Sequence, residues 1–337
     1  MKTPNTQADA SRPSLRKINA ILLLVALALL VYFVHRVGLR PILDGFARVG
    51  WGFGLLLGIF VCGFLLETWN WSRCFRQPIP FSRFLLPSWC GQSINQLTPG
   101  SSLGELVKGG LLARVAPTEA VISSLILNNL AFAFGTTMVI LVGSVGLWLL
   151  PFAPLRLKLA GSLVALLVLA GLGLFYRGLL RGMISRLLRR IAGARRPRLQ
   201  RAAEQMERWE REMRLHAEER PWRFRQVVLV NLLCNAFPIV EMWLTWYLLG
   251  VKLDLARCFT FAGVETVAGV LFMVVPGKLG VAEGTTYLTS DLLKLNPNTG
   301  LTKQLVGRAV RLVFSVAGAL ALAWITIRRG PETTEKR

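Results

Sequence analysis

The chain has 337 residues, of which 53% are hydrophobic and 17% charged, where a soluble protein carries roughly a quarter charged. Its mean hydropathy is +0.49, and 40 Lys and Arg against 18 Asp and Glu give a formal charge of +22. Apolar bulk with a basic excess points to a multi-span membrane protein whose cytoplasmic loops hold the Lys and Arg. It argues against nucleic acid as a partner, because no basic globular domain is left once the apolar runs are set aside.

A hydrocarbon core of ~30 Å takes about 20 helical residues to cross. Residues 1–17 form a cytoplasmic tail. Ile18–Val34 is the first apolar run. It follows Lys2, Arg12, Arg16 and Lys17, as a signal peptide would. It ends in Tyr32-Phe33-Val34-His35-Arg36 rather than a small-residue cleavage site, so it reads as a retained span. Trp51–Trp71 is the second span. Its Gly50, Gly54 and Gly58 either admit a neighbouring helix or simply mark a Gly-rich run. Trp51, Trp69 and Trp71 read as an interfacial belt. Phe84–Leu97 is too short to cross comfortably. Ala120–Leu150 is a span, and Leu157–Tyr176 follows a Pro151–Pro154 turn.

The character then changes, with fifteen arginines between Arg177 and Arg225, which places this segment in the cytoplasm. Within it Leu199–Glu219 reads as a helix, with Glu204/Arg208, Glu207/Arg211 and Glu210/Arg214 as i,i+4 pairs. It either lies on the anionic membrane face or is a solvated connector. Val227–Leu249, Phe259–Val275, Leu279–Leu293 and Leu305–Ile327 complete the membrane part, before a cytoplasmic tail, 328–337. The five cysteines are odd in number without CxxC spacing, and His35 and His216 lie far apart. A metal site, a cofactor and a catalytic constellation are therefore not expected.

Two segments repeat one pattern. The first runs from Gln92 through Thr98-Pro99-Gly100-Ser101-Ser102-Leu103-Gly104-Glu105; the second from Phe272 through Val275-Pro276-Gly277-Lys278-Leu279-Gly280 to Glu283. Each has an apolar stretch, Pro-Gly, Leu-Gly and then Glu. Pro removes a backbone donor and Gly weakens a helix, so each pair should break one, and the Leu-Gly-Glu side should start a half-helix. Broken backbone at membrane depth persists only where protein buries it or it lines a cavity. Counting spans from a cytoplasmic N-terminus opens the first hairpin to the cytoplasm and the second to the outside. Both termini then lie in the cytoplasm, although Arg36, Arg40 and Arg48 fall in the first outer loop, against the charge rule. The expected fold is all-α: a polytopic membrane protein of about six full spans and two re-entrant helical hairpins in an inverted repeat. Its halves are 18–150 and 157–327, the second interrupted by the Arg-rich loop 177–225. Such repeats place a substrate site where the broken helices meet.

Ionisable groups inside spans need partners. Glu105 and Lys108 stand i,i+3 on the first half-helix, and Glu283 begins the second. A carboxylate in a first turn either offsets the helix dipole or, here, serves substrate or protons from matching places in two repeats. Arg308 and Arg311 either snorkel to an interface or hold a lipid phosphate. Glu67, Asn70, Asn128, Asn129, Asn231, Asn235, Glu241 and Glu265 are further intramembrane polar groups. Asn more often knits helices together. Glu241 and Glu265 are harder to dismiss.

With these motifs the chain resembles the lysylphosphatidylglycerol synthase transmembrane region, a flippase-like family. Asn95, Pro99, Gly100, Gly104, Glu105 and Lys108 match its first motif. Pro276, Leu279, Gly280 and Glu283 match its second, and Arg308 or Arg311 its late basic residue. Ser101-Ser102 stand where many members carry Arg. The candidate substrate-binding residues are Asn95, Pro99, Gly100, Gly104, Glu105, Lys108, Pro276, Gly277, Gly280, Glu283, Arg308 and Arg311. The aminoacyl-transferring soluble domain of the multiple peptide resistance factor has no counterpart here. The resemblance thus implies translocation of a lipid across a bacterial inner membrane, not lysine transfer and not an enzyme. The lipid would be an anionic phospholipid, a hopanoid or an isoprenoid-linked molecule. The alternatives are a non-catalytic membrane partner of a lipid-modifying enzyme, and a membrane-embedded lipid transferase.

Overall fold

A computed structural model describes residues 47–75, 79–97, 103–113, 115–192, 200, 204, 207, 208, 210, 211, 221–272 and 280–328. Among these residues there is helix and turn but no strand. In chain order the helices are α1 (Gly52–Arg73), α2 (Ser82–Leu97), α3 (Leu103–Leu112), α4 (Thr118–Leu149) and α5 (Leu155–Leu180). They continue as α6 (Met183–Ala192), α7 (Pro221–Leu248), α8 (Leu255–Leu271), α9 (Val281–Leu292) and α10 (Pro297–Arg328). Five of them, α1, α4, α5, α7 and α10, are long and apolar enough to cross a membrane. This is an all-α polytopic membrane protein. The first expected span, Ile18–Val34, and most of Leu199–Glu219 lie outside the described residues.

Apolar side chains point outward as well as inward, as hydrocarbon allows. On α5, Leu159, Leu163, Leu166, Leu167 and Leu174 are all more than half exposed. Without a hydrophobic force between helices, close packing needs small residues or polar contacts. Among the described residues nothing lies within 4 Å of where side chains on Gly50, Gly54 and Gly58 would be. Gly52 and Gly63 take the role instead, on the face that meets Leu248 and Phe237 of α7. Trp71 is no belt residue. It is 2% exposed and donates from Nε1 to Ser124 Oγ at 3.1 Å, in a cluster with Phe75 and Phe84.

The two halves share one packing plan: α1, α2, α3 and α4 correspond to α7, α8, α9 and α10. Each short helix pair, α2–α3 and α8–α9, is a helical hairpin packed within its own half, and its first arm also packs on the last helix of the other half. At the α4–α8 crossing Gly143 meets Gly263, and Gly146 meets Thr260 and Ala256, so these helices run antiparallel. At the α2–α10 crossing Gly318 faces Trp89, whose Nε1 donates to the Phe314 carbonyl at 3.2 Å. The counterparts α1 and α7 pair antiparallel, Gly52 against Leu248 and Gly63 against Phe237. The halves therefore run in opposite directions.

Candidate functional site

The first hairpin closes on two glycines. A side chain on Gly104 would strike the Gly91 carbonyl and the Asn95 amide, so α3 can sit this close to α2 only as glycine. The Gly104 N–H, one of the free donors of a helix start, donates to Asn95 Oδ1 at 2.8 Å. Asn95 Nδ2 donates in turn to Glu105 Oε1 at 3.2 Å. Lys108, one turn on, is 6% exposed and donates to the same oxygen at 3.0 Å. Its ammonium also stands 6.0 Å from the Trp71 ring centroid. Asn95, Gly104, Glu105 and Lys108 thus form one connected cluster. Beside it a small cavity is lined by Glu67, Thr68 and Trp71 of α1, Ser88 and Gln92 of α2, Lys108 of α3 and Asn128 of α4.

The second hairpin starts its half-helix at Gly280, whose φ of +79° favours glycine. Glu283 does two things there. Its Oε2 accepts from the Gly280 N–H at 2.8 Å, capping α9, and its Oε1 pairs with Arg308 Nη2 at 2.6 Å. The capping bond fits the helix-start role the sequence offered for Glu283, and the ion pair to Arg308 is an addition to it. Arg308 is 7% exposed, so it is buried against Glu283 and does not snorkel. Arg311, one turn further, is a third exposed and stands 3.6 Å from Glu241 of α7. Glu265 of α8 takes both its oxygens to Lys303 Nζ at 2.8 Å and accepts from Thr286 Oγ1. Helix α10 therefore ties α7, α8 and α9 together through one row of bases.

Pro99, Gly100, Pro276 and Gly277 lie outside the described residues. The remaining candidates fall into the two clusters, with Glu105 and Glu283 each paired to a base of its own half. Sequence reading passed over Lys303, the base that holds Glu265. Its sign was present: Lys303, Arg308 and Arg311 recur on one helical face. It was missed because the apolar run begins at Leu305, whereas the helix begins at Pro297.

The family model of the lysylphosphatidylglycerol synthase TM region matches residues 19–319. The chain belongs to this family. The match runs through α1 to α9 and most of α10, so both clusters of this lysylphosphatidylglycerol synthase TM-region protein lie inside it. No curated protein matches the chain.

Proposed function

We propose that this protein is a lipid translocase of the bacterial inner membrane, with both termini in the cytoplasm. The head group passes between the two hairpins, re-entrant from opposite faces, while the acyl or isoprenoid tails stay in hydrocarbon. The lipid leaves chemically unchanged. One observation carries this reading: two ion-paired clusters, each built on a half-helix, occupy matching places in two antiparallel halves. Buried ion pairs are poor stabilisers, since desolvation offsets most of their attraction. Four pairs with one member buried, set among membrane helices, are better explained by a polar path than by stability. Where a charged head group enters, such a pair can open and give each member a new partner, which keeps every charge compensated.

The test is reconstitution of the full chain into liposomes with labelled phosphatidylglycerol, lysylphosphatidylglycerol or an isoprenyl phosphate. Loss of inner-leaflet label to an external quencher, faster than in empty liposomes and with lipid mass unchanged, is the expected result. Rates equal to empty liposomes for every lipid class would overturn the reading, and a changed lipid mass would replace it with a transferase.

A further inference from the structure

We propose that Glu67 is a proton-binding site that couples lipid movement to a proton gradient, an inference that rests on the translocase reading. Glu67 lies well inside α1 and faces the small cavity beside the first hairpin. It differs from the other membrane carboxylates. Glu105, Glu241, Glu265 and Glu283 each have a Lys or Arg partner. Glu67 has no hydrogen-bond or ion-pair partner among the described residues.

The cavity wall carries independent signs of a small polar occupant. Thr68, Ser88 and Asn128 line it at 2%, 4% and 4% exposure. Thr68 Oγ1, Ser88 Oγ and Asn128 Oδ1 are all buried and without a hydrogen-bond partner among the described residues. Three such oxygens converging on one cavity are unusual, because buried polar atoms are nearly always satisfied. The space suits about one water, and a water needs two to four polar partners, which this wall provides.

Charge selects a proton as the cargo. Cluster two balances Glu241, Glu265 and Glu283 against Lys303, Arg308 and Arg311. Cluster one sets Glu67 and Glu105 against Lys108 alone, so one positive charge is lacking. A proton on Glu67 supplies it without disturbing the Lys108–Glu105 pair. A metal cation is disfavoured by the Lys108 ammonium in the same wall and by the size of the space. The charged groups that act on Glu67 are Lys108 and Glu105 of α3, with the Cys234 thiol of α7 also in electrostatic reach. Helices α2 and α4 present neutral Ser88, Gln92 and Asn128, and α10 meets α1 through Val306, Val310 and Phe314. The step itself is simple: the carboxylate takes one proton from cavity water and later returns it, and no other bond changes. When Glu67 is ionised, Lys108 is drawn from Glu105 towards it, which loosens the first hairpin's cluster.

The experiment compares wild type, Glu67→Gln and Glu67→Asp as full chains in liposomes. Infrared difference spectra between acid and alkaline buffer should show a protonated-carboxyl stretch in wild type, lost in Glu67→Gln and shifted in Glu67→Asp. Labelled-lipid movement should respond to an imposed pH gradient in wild type and lose that response in Glu67→Gln. A sodium gradient at constant pH should change neither. Retention of the band or of the gradient response in Glu67→Gln overturns the proposal, as does driving by sodium. If Glu67→Gln does not fold, Glu67→Asp decides, since an unshifted band and an unchanged gradient response sink the idea equally. If wild type moves no lipid, the translocase reading fails, while the infrared band still reports whether Glu67 binds a proton.

Discussion

The Arg308–Glu283 pair gives the sharpest test of how cluster two is held. Arg308 is 7% exposed and the Glu283 side chain 23%, at 2.6 Å. Removing one member of such a pair strands the other charge, which costs about 3–5 kcal/mol. Arg308→Met should sit near the low end, because Glu283 keeps its hydrogen bond from the Gly280 N–H and some exposure. Glu283→Gln should cost a similar amount: its amide oxygen still caps α9, but the carboxylate 2.6 Å from buried Arg308 is lost. The double variant strands neither charge and should return to within about 1 kcal/mol of wild type, since replacing a whole buried pair is often neutral. The assay is equilibrium unfolding in mixed micelles, read as a double-mutant cycle. Single variants within about 0.5 kcal/mol of wild type, as for ordinary surface changes, would mean that the pair does not form. A double variant as unstable as the sum of the singles would mean that the two residues act separately.

Three further outcomes follow from helix contacts. A side chain at Gly143 would stand 2.5 Å from the Gly263 Cα and 3.0 Å from the Phe259 carbonyl, so Gly143→Ala should force α4 and α8 apart and lose about 1–3 kcal/mol by unfolding titration. Gly54→Ala meets nothing within 4 Å among the described residues and should gain about 0.5–1 kcal/mol from helix propensity; equal effects at both sites would refute the crossing. Trp71→Phe removes the bond to Ser124 Oγ and should lose about 1 kcal/mol, whereas an interfacial Trp71 would lose nearly nothing in the same titration.

The long apolar runs were plain in the sequence because hydrocarbon imposes length directly. Ala120–Leu150 is α4, Thr118–Leu149, and Val227–Leu249 is the apolar part of α7. The helix starts were less plain. Helices α7 and α10 begin six and eight residues before their apolar runs, because charged and polar residues such as Arg223, Arg225 and Lys303 are helical too. The half-helix starts, at Leu103 of the first Leu-Gly and just after Gly280 of the second, were legible from Pro-Gly and Leu-Gly alone, since backbone chemistry sets them. What no sequence pattern could give was the choice of partner. Lys303 finds Glu265 38 residues away, and Trp71 finds Ser124 across 53 residues. Such pairings depend on which helix crosses which, and that is set by glycine positions such as Gly143 and Gly263, only some of which are used.

The cross-packing of the halves bears on why the polar groups are tolerated at all. Neither half encloses its own hairpin: the first arm of each leans on the last helix of the other, α2 on α10 and α8 on α4. Each hairpin therefore rests on a helix that its own half does not supply. Asn70 of α1 donates to the Val227 carbonyl of α7 at 3.0 Å, a further bond across the halves. The members of each polar cluster come from one half, and the other half braces the helices that carry them. Cluster two is neutral as it stands, whereas Glu67 beside the Glu105–Lys108 pair leaves the first half short of one positive charge, so a proton on Glu67 would shift the balance on one side only. The two halves are thus alike in packing and unlike in charge.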